Sequence, residues 1–223
     1  MEKIIQMKEI MKQAVSQIGQ LHRVLLVMYL PAFVCIAALV AASLAAQKPL
    51  ATLFRDPAVL MSFHPFVGLI SNMGILLWCA AGTLALFGAA ALWKSKFKNN
   101  VMVFLFWSAL LTSFLMLDDL LLLHEEVLPG YFGIPEHLVF ALYVALAALY
   151  LWRFRRQILS TDYALMIIAL GFFAGSVFID VLPTPPTDIS FAIEDTLKFF
   201  GIIAWFGYFA RTSFQEVTNQ PHL

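Results

Sequence analysis

Six stretches of mostly apolar residues run through this 223-residue chain. A helix needs about 20 such residues to cross a bilayer. The stretches are 24–46, 66–93, 101–123, 138–152, 163–182 and 189–210. The fourth is short, but it reaches full length by extending back through Glu136 and His137. Together they take up most of the chain and leave no room for a soluble domain. The expected fold is all-α and integral to the membrane. It is a six-helix transmembrane bundle over 24–212, with a polar segment before it (1–23) and a short tail after it (213–223).

Composition supports the same class. Sixty-one per cent of the residues are hydrophobic and 13% are charged, against about 25% charged in an ordinary soluble domain. That balance excludes a cytosolic enzyme. Zero net charge and the lack of a basic stripe exclude a nucleic-acid partner, and two cysteines are too few for a disulfide scaffold. Cys35 and Cys79 lie within apolar spans, where packing is their expected role.

Basic residues set the orientation of such a protein. Lys3, Lys8, Lys12 and Arg23 precede the first span, and Lys94, Lys96 and Lys98 follow the second. Arg153, Arg155 and Arg156 follow the fourth, and Arg211 follows the last. Every second connection is therefore basic, so both termini are expected in the cytoplasm and the location is the cell (inner) membrane. Only Lys48 and Arg55 fall on the other side, and Lys198 lies inside the sixth span. The sequence Ala42-Ser43-Leu44-Ala45-Ala46 resembles a cleavage site. The apolar run before it is longer than the about 7–15 residues of a secretory signal, which favours an uncleaved span. Residues 1–20 place Ile4, Met7, Met11 and Ile18 at helical spacing among lysines. This reads as an amphipathic helix on the inner membrane surface, or as a frayed tail. Gly171 and Gly175 form a GxxxG pair, which suits close packing within the bundle or, as the alternative, a homo-oligomer.

Ionisable residues inside a bilayer are expensive and point to function. Most of the acidic residues gather in the outer halves of the spans or in the outer loops. The densest run is Leu117-Asp118-Asp119-Leu120-Leu121-Leu122-Leu123-His124-Glu125-Glu126. Asp118 and Asp119 sit between apolar residues on both sides, so something must pair them. On a continuous helix Asp118 and Glu125 share one face. The loop that follows contains Pro129, Gly130, Gly133 and Pro135, a tight connection that is expected to bring Glu136 and His137 back beside Glu125 and Glu126. Asp180 ends the fifth span before Pro183, Pro185 and Pro186. Glu194, Asp195 and Lys198 are spaced so that both acids reach the lysine. Ser71 and Asn72 lie at the same depth.

Each partial motif also has a plainer reading. Glu194 and Lys198 form a structural ion couple, Glu126 and Asp188 are solvated loop charges, and His137 beside Glu136 is a polar helix end. Taken together, carboxylates with a minority of imidazoles suit a divalent cation. The expected ligands are Asp118, Asp119, His124, Glu125 and His137. Position 128 is Leu, so no HExxH is present, and neither Glu125 nor Glu126 opens an ExxH. Paired intramembrane histidines for haem are absent, and neither haem nor a nucleotide is expected.

The segments 66–72 (Phe66-Val67-Gly68-Leu69-Ile70-Ser71-Asn72) and 117–126 resemble parts of bacterial multi-pass membrane proteins. Those proteins carry an acidic pair followed by His-Glu on one span and an acidic residue ahead of a late span. This resemblance covers most of the chain and implies no particular activity. A looser resemblance is to the superfamily of alkaline ceramidases and progestin/adiponectin-type receptors. Its members hold an intramembrane zinc with three histidines, near a serine and an aspartate. On that resemblance Ser71 and either Asp118 or Asp119 match the serine and the aspartate, while the late-helix histidine pair is missing and six spans replace seven.

Two function classes follow. In one, a metal-dependent hydrolase acts on an amphiphilic substrate drawn from membrane lipid, with Asp118, Asp119 and Glu125 as catalytic groups. Ser71, Asn72, Asp180, Glu194, Asp195 and Lys198 are then binding groups. In the other, the same residues relay protons or ions for transport. Almost purely apolar inner halves favour a one-sided site over a pathway, and an accessory subunit with a structural polar layer is the third reading. For topology, a reporter fused at Lys96 or Arg155 should read cytoplasmic and one at Pro185 external. An external signal at Lys96 would overturn the orientation.

Overall fold

The structure is a computed structural model that describes residues 2–64, 66–94, 100–181 and 187–219. Lys96, Lys98, the three prolines of the fifth connection and the last four residues of the expected tail lie outside the described residues. No strand occurs among the described residues. The chain divides into two units, Met1–Val67 and Gly68–Leu223.

The first unit holds α1 (Glu2–Gln20), α2 (His22–Ala45), α3 (Ala51–Phe54) and α4 (Pro57–Leu60). The expected N-terminal segment is thus helical. The first span is α2, which passes through Pro31 without a break. At the far end of α2 the Ser43 hydroxyl donates to the Lys48 carbonyl at 3.1 Å, closing the turn. Asp56 caps α4 by accepting from the Ala58 N–H at 2.7 Å, with Pro57 at the first helical position.

The second unit holds α5 (Leu69–Lys94), α6 (Asn100–Leu121), α7 (Leu128–Phe132), α8 (Glu136–Leu159), α9 (Tyr163–Asp180) and α10 (Asp188–Thr218). A π-helical turn, Leu123–Val127, separates α6 from α7. α8 is longer than the apolar count suggests, since Arg153, Arg155 and Arg156 continue it for two turns. Among the described residues, five helices are long and apolar enough to cross a membrane: α2, α5, α6, α8 and α9. The sixth expected span coincides with α10, which falls outside that group because Glu194, Asp195 and Lys198 crowd its first third.

Burial follows helical spacing. Trp78, Ala81, Ala85, Ala89 and Leu92 form one stripe along α5. Small residues in that stripe let α6 and α10 approach closely, and α9 packs along α10. The core they enclose is centred on Phe104, Leu105, Trp205, Tyr208 and Phe209. Trp205 Nε1–H donates to Thr112 Oγ1 at 3.0 Å, tying α10 to α6.

By contrast α8 touches its neighbours at few places. One is the Tyr150 hydroxyl, 2.6 Å from Ser108 Oγ; Ser108 spends its own proton on the Phe104 carbonyl, so Tyr150 donates. Another is Phe154 against Phe104. The α8–α9 connection is clamped from α10, where Arg211 Nε and Gln215 Nε2 both donate to Asp162 Oδ2, at 2.7 and 3.1 Å. Those hydrogen bonds, Arg211 first, hold the Asp162 carboxyl below the usual carboxylate range.

The glycines separate packing from pattern. A Cβ on Gly201 would lie 2.6 Å from the Phe173 ring, so α9 and α10 meet only because Gly201 lacks one. Of the GxxxG pair, Gly175 faces Leu197 at 3.4 Å, while nothing lies within 4 Å of the Gly171 position. Gly201→Ala should therefore lower stability by about 1–3 kcal/mol, and Gly171→Ala should stay within about 0.5 kcal/mol of the parent. Unfolding titrations in mixed micelles measure both, and equal effects would contradict this seam.

Candidate functional site

The site begins with a break in α6. A continuous helix would bring Glu125 beneath Asp118. Instead Leu122 adopts left-handed φ 50° and ψ 44°, and the next five residues wind as a π turn. A left-handed conformation costs a residue with a side chain roughly 1–2 kcal/mol. Asp118 supplies an offset. Its Oδ1 accepts the His124 backbone N–H at 3.1 Å, and its Oδ2 lies 2.5 Å from His124 Nδ1. The expectation that Glu125 shares the Asp118 face is thereby corrected: the break rotates the segment, and His124 returns to Asp118 in its place.

A third donor completes the Asp118 environment. The Tyr143 hydroxyl of α8 donates to Asp118 Oδ1 at 2.7 Å. Asp118 is 4% exposed and His124 8%. A carboxylate accepting at Nδ1 requires the proton to sit there, which leaves Nε2 as the free lone pair. That nitrogen lies 3.4 Å from Glu125 Oε1, on a side chain that is half exposed.

Asp119, one residue along and turned by about 100°, serves different helices. Its Oδ2 accepts from Trp78 Nε1–H of α5 at 2.8 Å, and its Oδ1 pairs with Lys198 Nζ of α10 at 2.7 Å. The expected Glu194–Lys198 couple is corrected here. Lys198 turns across to α6 and pairs with Asp119, and Glu194 makes no ion pair among the described residues.

These groups open onto one cavity of about 590 Å³. Asp118, Asp119, His124, Glu125, Asp180, Glu194, Asp195 and Lys198 all line it. Away from them the wall becomes apolar and aromatic, with Leu115, Leu146, Leu151, Leu170, Phe173 and Trp205. It exists because α8 stands off from α6 and α9. A second space of about 20 Å³ lies behind Lys198, lined by Ser71, Asp119 and Asp195. That is room for about one water.

The other expected residues divide. Ser71 reaches the small space, and Asn72 is exposed and lines neither. His137 is exposed and joins none of these contacts, which corrects the expected return beside Glu125. The connection is a helical turn, α7, ending at Gly133 with φ 65°. It displaces the start of α8, so Phe140 and Tyr143 meet His124 where His137 was expected. Of the five expected metal ligands, Asp118, Asp119, His124 and Glu125 line the cavity and His137 does not. Among the described residues no group of three or more His, Cys, Asp or Glu side chains is placed to hold an ion. Asp118 and His124 Nδ1 hold one another, and the Asp119 oxygens are taken by Trp78 and Lys198. Tyr143 and Trp78 were missed from the sequence. The only available signal was that a buried indole N–H or phenol seeks an acceptor.

Lys198→Met should destabilise the protein by no more than the about 3–5 kcal/mol of a broken buried pair. Asp119→Asn should recover much of that loss, and Glu194→Gln little of it. A double-mutant cycle on unfolding free energies measures both, and rescue by Glu194→Gln alone would move the pair back onto α10.

Residues 27–212 match the model of a family described as a domain of unknown function, DUF8692. No curated protein and no solved structure matches the chain. The family match runs from early in α2 to the last turns of α10, and the chain belongs to the DUF8692 family.

Proposed function

We propose that this chain is a six-span membrane hydrolase with both termini cytoplasmic, acting on an amphiphilic substrate through acid–base chemistry at His124. The observation that carries the reading is the Asp118–His124 pair, set in the wall of a cavity charged at one end and apolar at the other. Such a cavity matches an amphiphile's own division into head and tail. Its volume falls within the about 300–1,000 Å³ usual for small-molecule sites.

The sixth span would be α10. Its 31 residues extend about 46 Å at about 1.5 Å each. Glu194, Asp195 and Lys198 line the cavity, the placement that makes charges tolerable within a bilayer.

In this mechanism His124 Nε2 takes a proton from water as the water attacks the substrate's carbonyl carbon. The same nitrogen then returns the proton to the leaving group. Asp118 holds the tautomer and stabilises the imidazolium, and Tyr143 fixes the Asp118 carboxylate. Lys198 offers positive charge from the same wall. With its proton held at Nδ1 by Asp118, His124 offers the Nε2 lone pair as a base that needs no resident metal. A through-pathway is disfavoured because Phe104, Phe209 and Tyr208 are fully buried and fill the bundle toward the Asn100 end of α6.

Purified protein should hydrolyse at least one member of a panel of fluorogenic long-chain esters and amides. His124→Ala should lower kcat by about 10²–10⁴-fold, and chelation should leave turnover unchanged. Turnover lost to a chelator and restored by a divalent cation would overturn the metal-free mechanism. Wild-type rates no higher than those of His124→Ala across the panel would overturn the hydrolase reading.

A further inference from the structure

The charges around the cavity do not balance. Asp119 is answered by Lys198, and Asp118 and Glu125 both lie against His124. Asp180, Glu194 and Asp195 also line the cavity, and none has a hydrogen bond or salt bridge among the described residues. Asp180 and Asp195 are exposed at its rim and Glu194 is half-buried, so all three present carboxyl groups without a protein partner to whatever enters. Among the described residues no further lysine or arginine lines the cavity.

A second observation is independent of the acids. Ser176 lies on α9 one turn before Asp180, is 6% exposed and lines the same cavity. A helical serine usually donates to the carbonyl four residues back, but Ser176 makes no hydrogen bond among the described residues. Its hydroxyl is left to the cavity rather than to a protein partner. It provides both a donor and an acceptor just below the carboxylates.

The third observation is the aromatic wall. Trp78 and Phe173 stack with centroids 5.6 Å apart, and both line the cavity beside the acids. An anionic head would meet like charge from three carboxylates, and a neutral head would leave them unanswered.

From this geometry we infer that the cavity selects a single-chain cationic amphiphile. An amine or quaternary ammonium head sits among Asp180, Glu194 and Asp195. A polar linkage at the level of Ser176 accepts or donates one hydrogen bond, and an aliphatic tail lies along Leu146, Leu151 and Leu170. This rests on the reading that an amphiphile occupies the cavity, and it adds the sign of the head's charge.

The test uses the full chain in phosphatidylcholine nanodiscs and three hexadecyl probes with a diazirine in the tail. They differ only in the head: trimethylammonium, alcohol or sulfate. Photolabelled sites are mapped by mass spectrometry. The trimethylammonium probe should label the cavity walls of α8 and α9 at about tenfold lower half-saturating concentration than the other two. In the Glu194→Gln/Asp195→Asn double variant that advantage should fall to within about threefold, with an unfolding midpoint close to the parent's reporting an intact fold. Equal labelling of the cavity by all three heads would overturn the charge selectivity and leave the amphiphile reading standing. Labelling confined to lipid-facing surfaces for every head would overturn both. An advantage that survives the double variant would place the head away from α10 and overturn the assigned subsite.

Discussion

Two adjacent carboxylates in an apolar helix are the constraint on which the second unit depends. Neither can remain charged in hydrocarbon alone, and successive helical residues point about 100° apart. They cannot share one solution. Asp118 turns to the π turn and α8, where it meets His124 and Tyr143, and Asp119 turns to α5 and α10, where it meets Trp78 and Lys198. Four elements are thus fixed by two neighbouring side chains. Helix α6 becomes the hub of the unit through its polar residues as much as through its apolar stripe.

This arrangement separates two kinds of adhesion. The contacts of α5, α6, α9 and α10 are broad and apolar, built on small residues such as Ala81, Ala85 and Gly201. Those of α8 are narrow and include hydroxyls, Tyr143 to Asp118 and Tyr150 to Ser108. In lipid the hydrophobic effect gives helices no reason to close a gap. The space beside α8 can therefore persist between helices that are otherwise closely packed.

Much of the fold was legible in the sequence because apolar run length is a one-dimensional signal. The runs at 24–46, 66–93, 101–123 and 163–182 match α2, α5, α6 and α9 within a few residues. The gathering of Asp118, Asp119, Glu125, Asp180, Glu194, Asp195 and Lys198 around one space was legible too, since similar depth on antiparallel helices brings such residues together. What the sequence concealed was rotation and pairing. Nothing in Leu120-Leu121-Leu122-Leu123 signals a left-handed residue, so the register after Leu122 could not be read, and the expectations for Glu125 and His137 failed with it. Lys198 pairs across helices with Asp119 and not along its own helix with Glu194, a choice that spacing along α10 does not contain. Tyr143 and Trp78 resembled any other aromatic residues in apolar helices.

The left-handed Leu122 carries one more consequence. Glycine would adopt that conformation without penalty and would hold it whether or not anything else were in place. Leucine does not, so the bend is conditional: it persists because the hydrogen bonds to Asp118 outweigh local strain. Backbone shape and side-chain chemistry are therefore two readings of a single equilibrium. The imidazole is presented to the cavity only by a chain that has its carboxylate partner in place, so the geometry of the site and the local fold would be lost together.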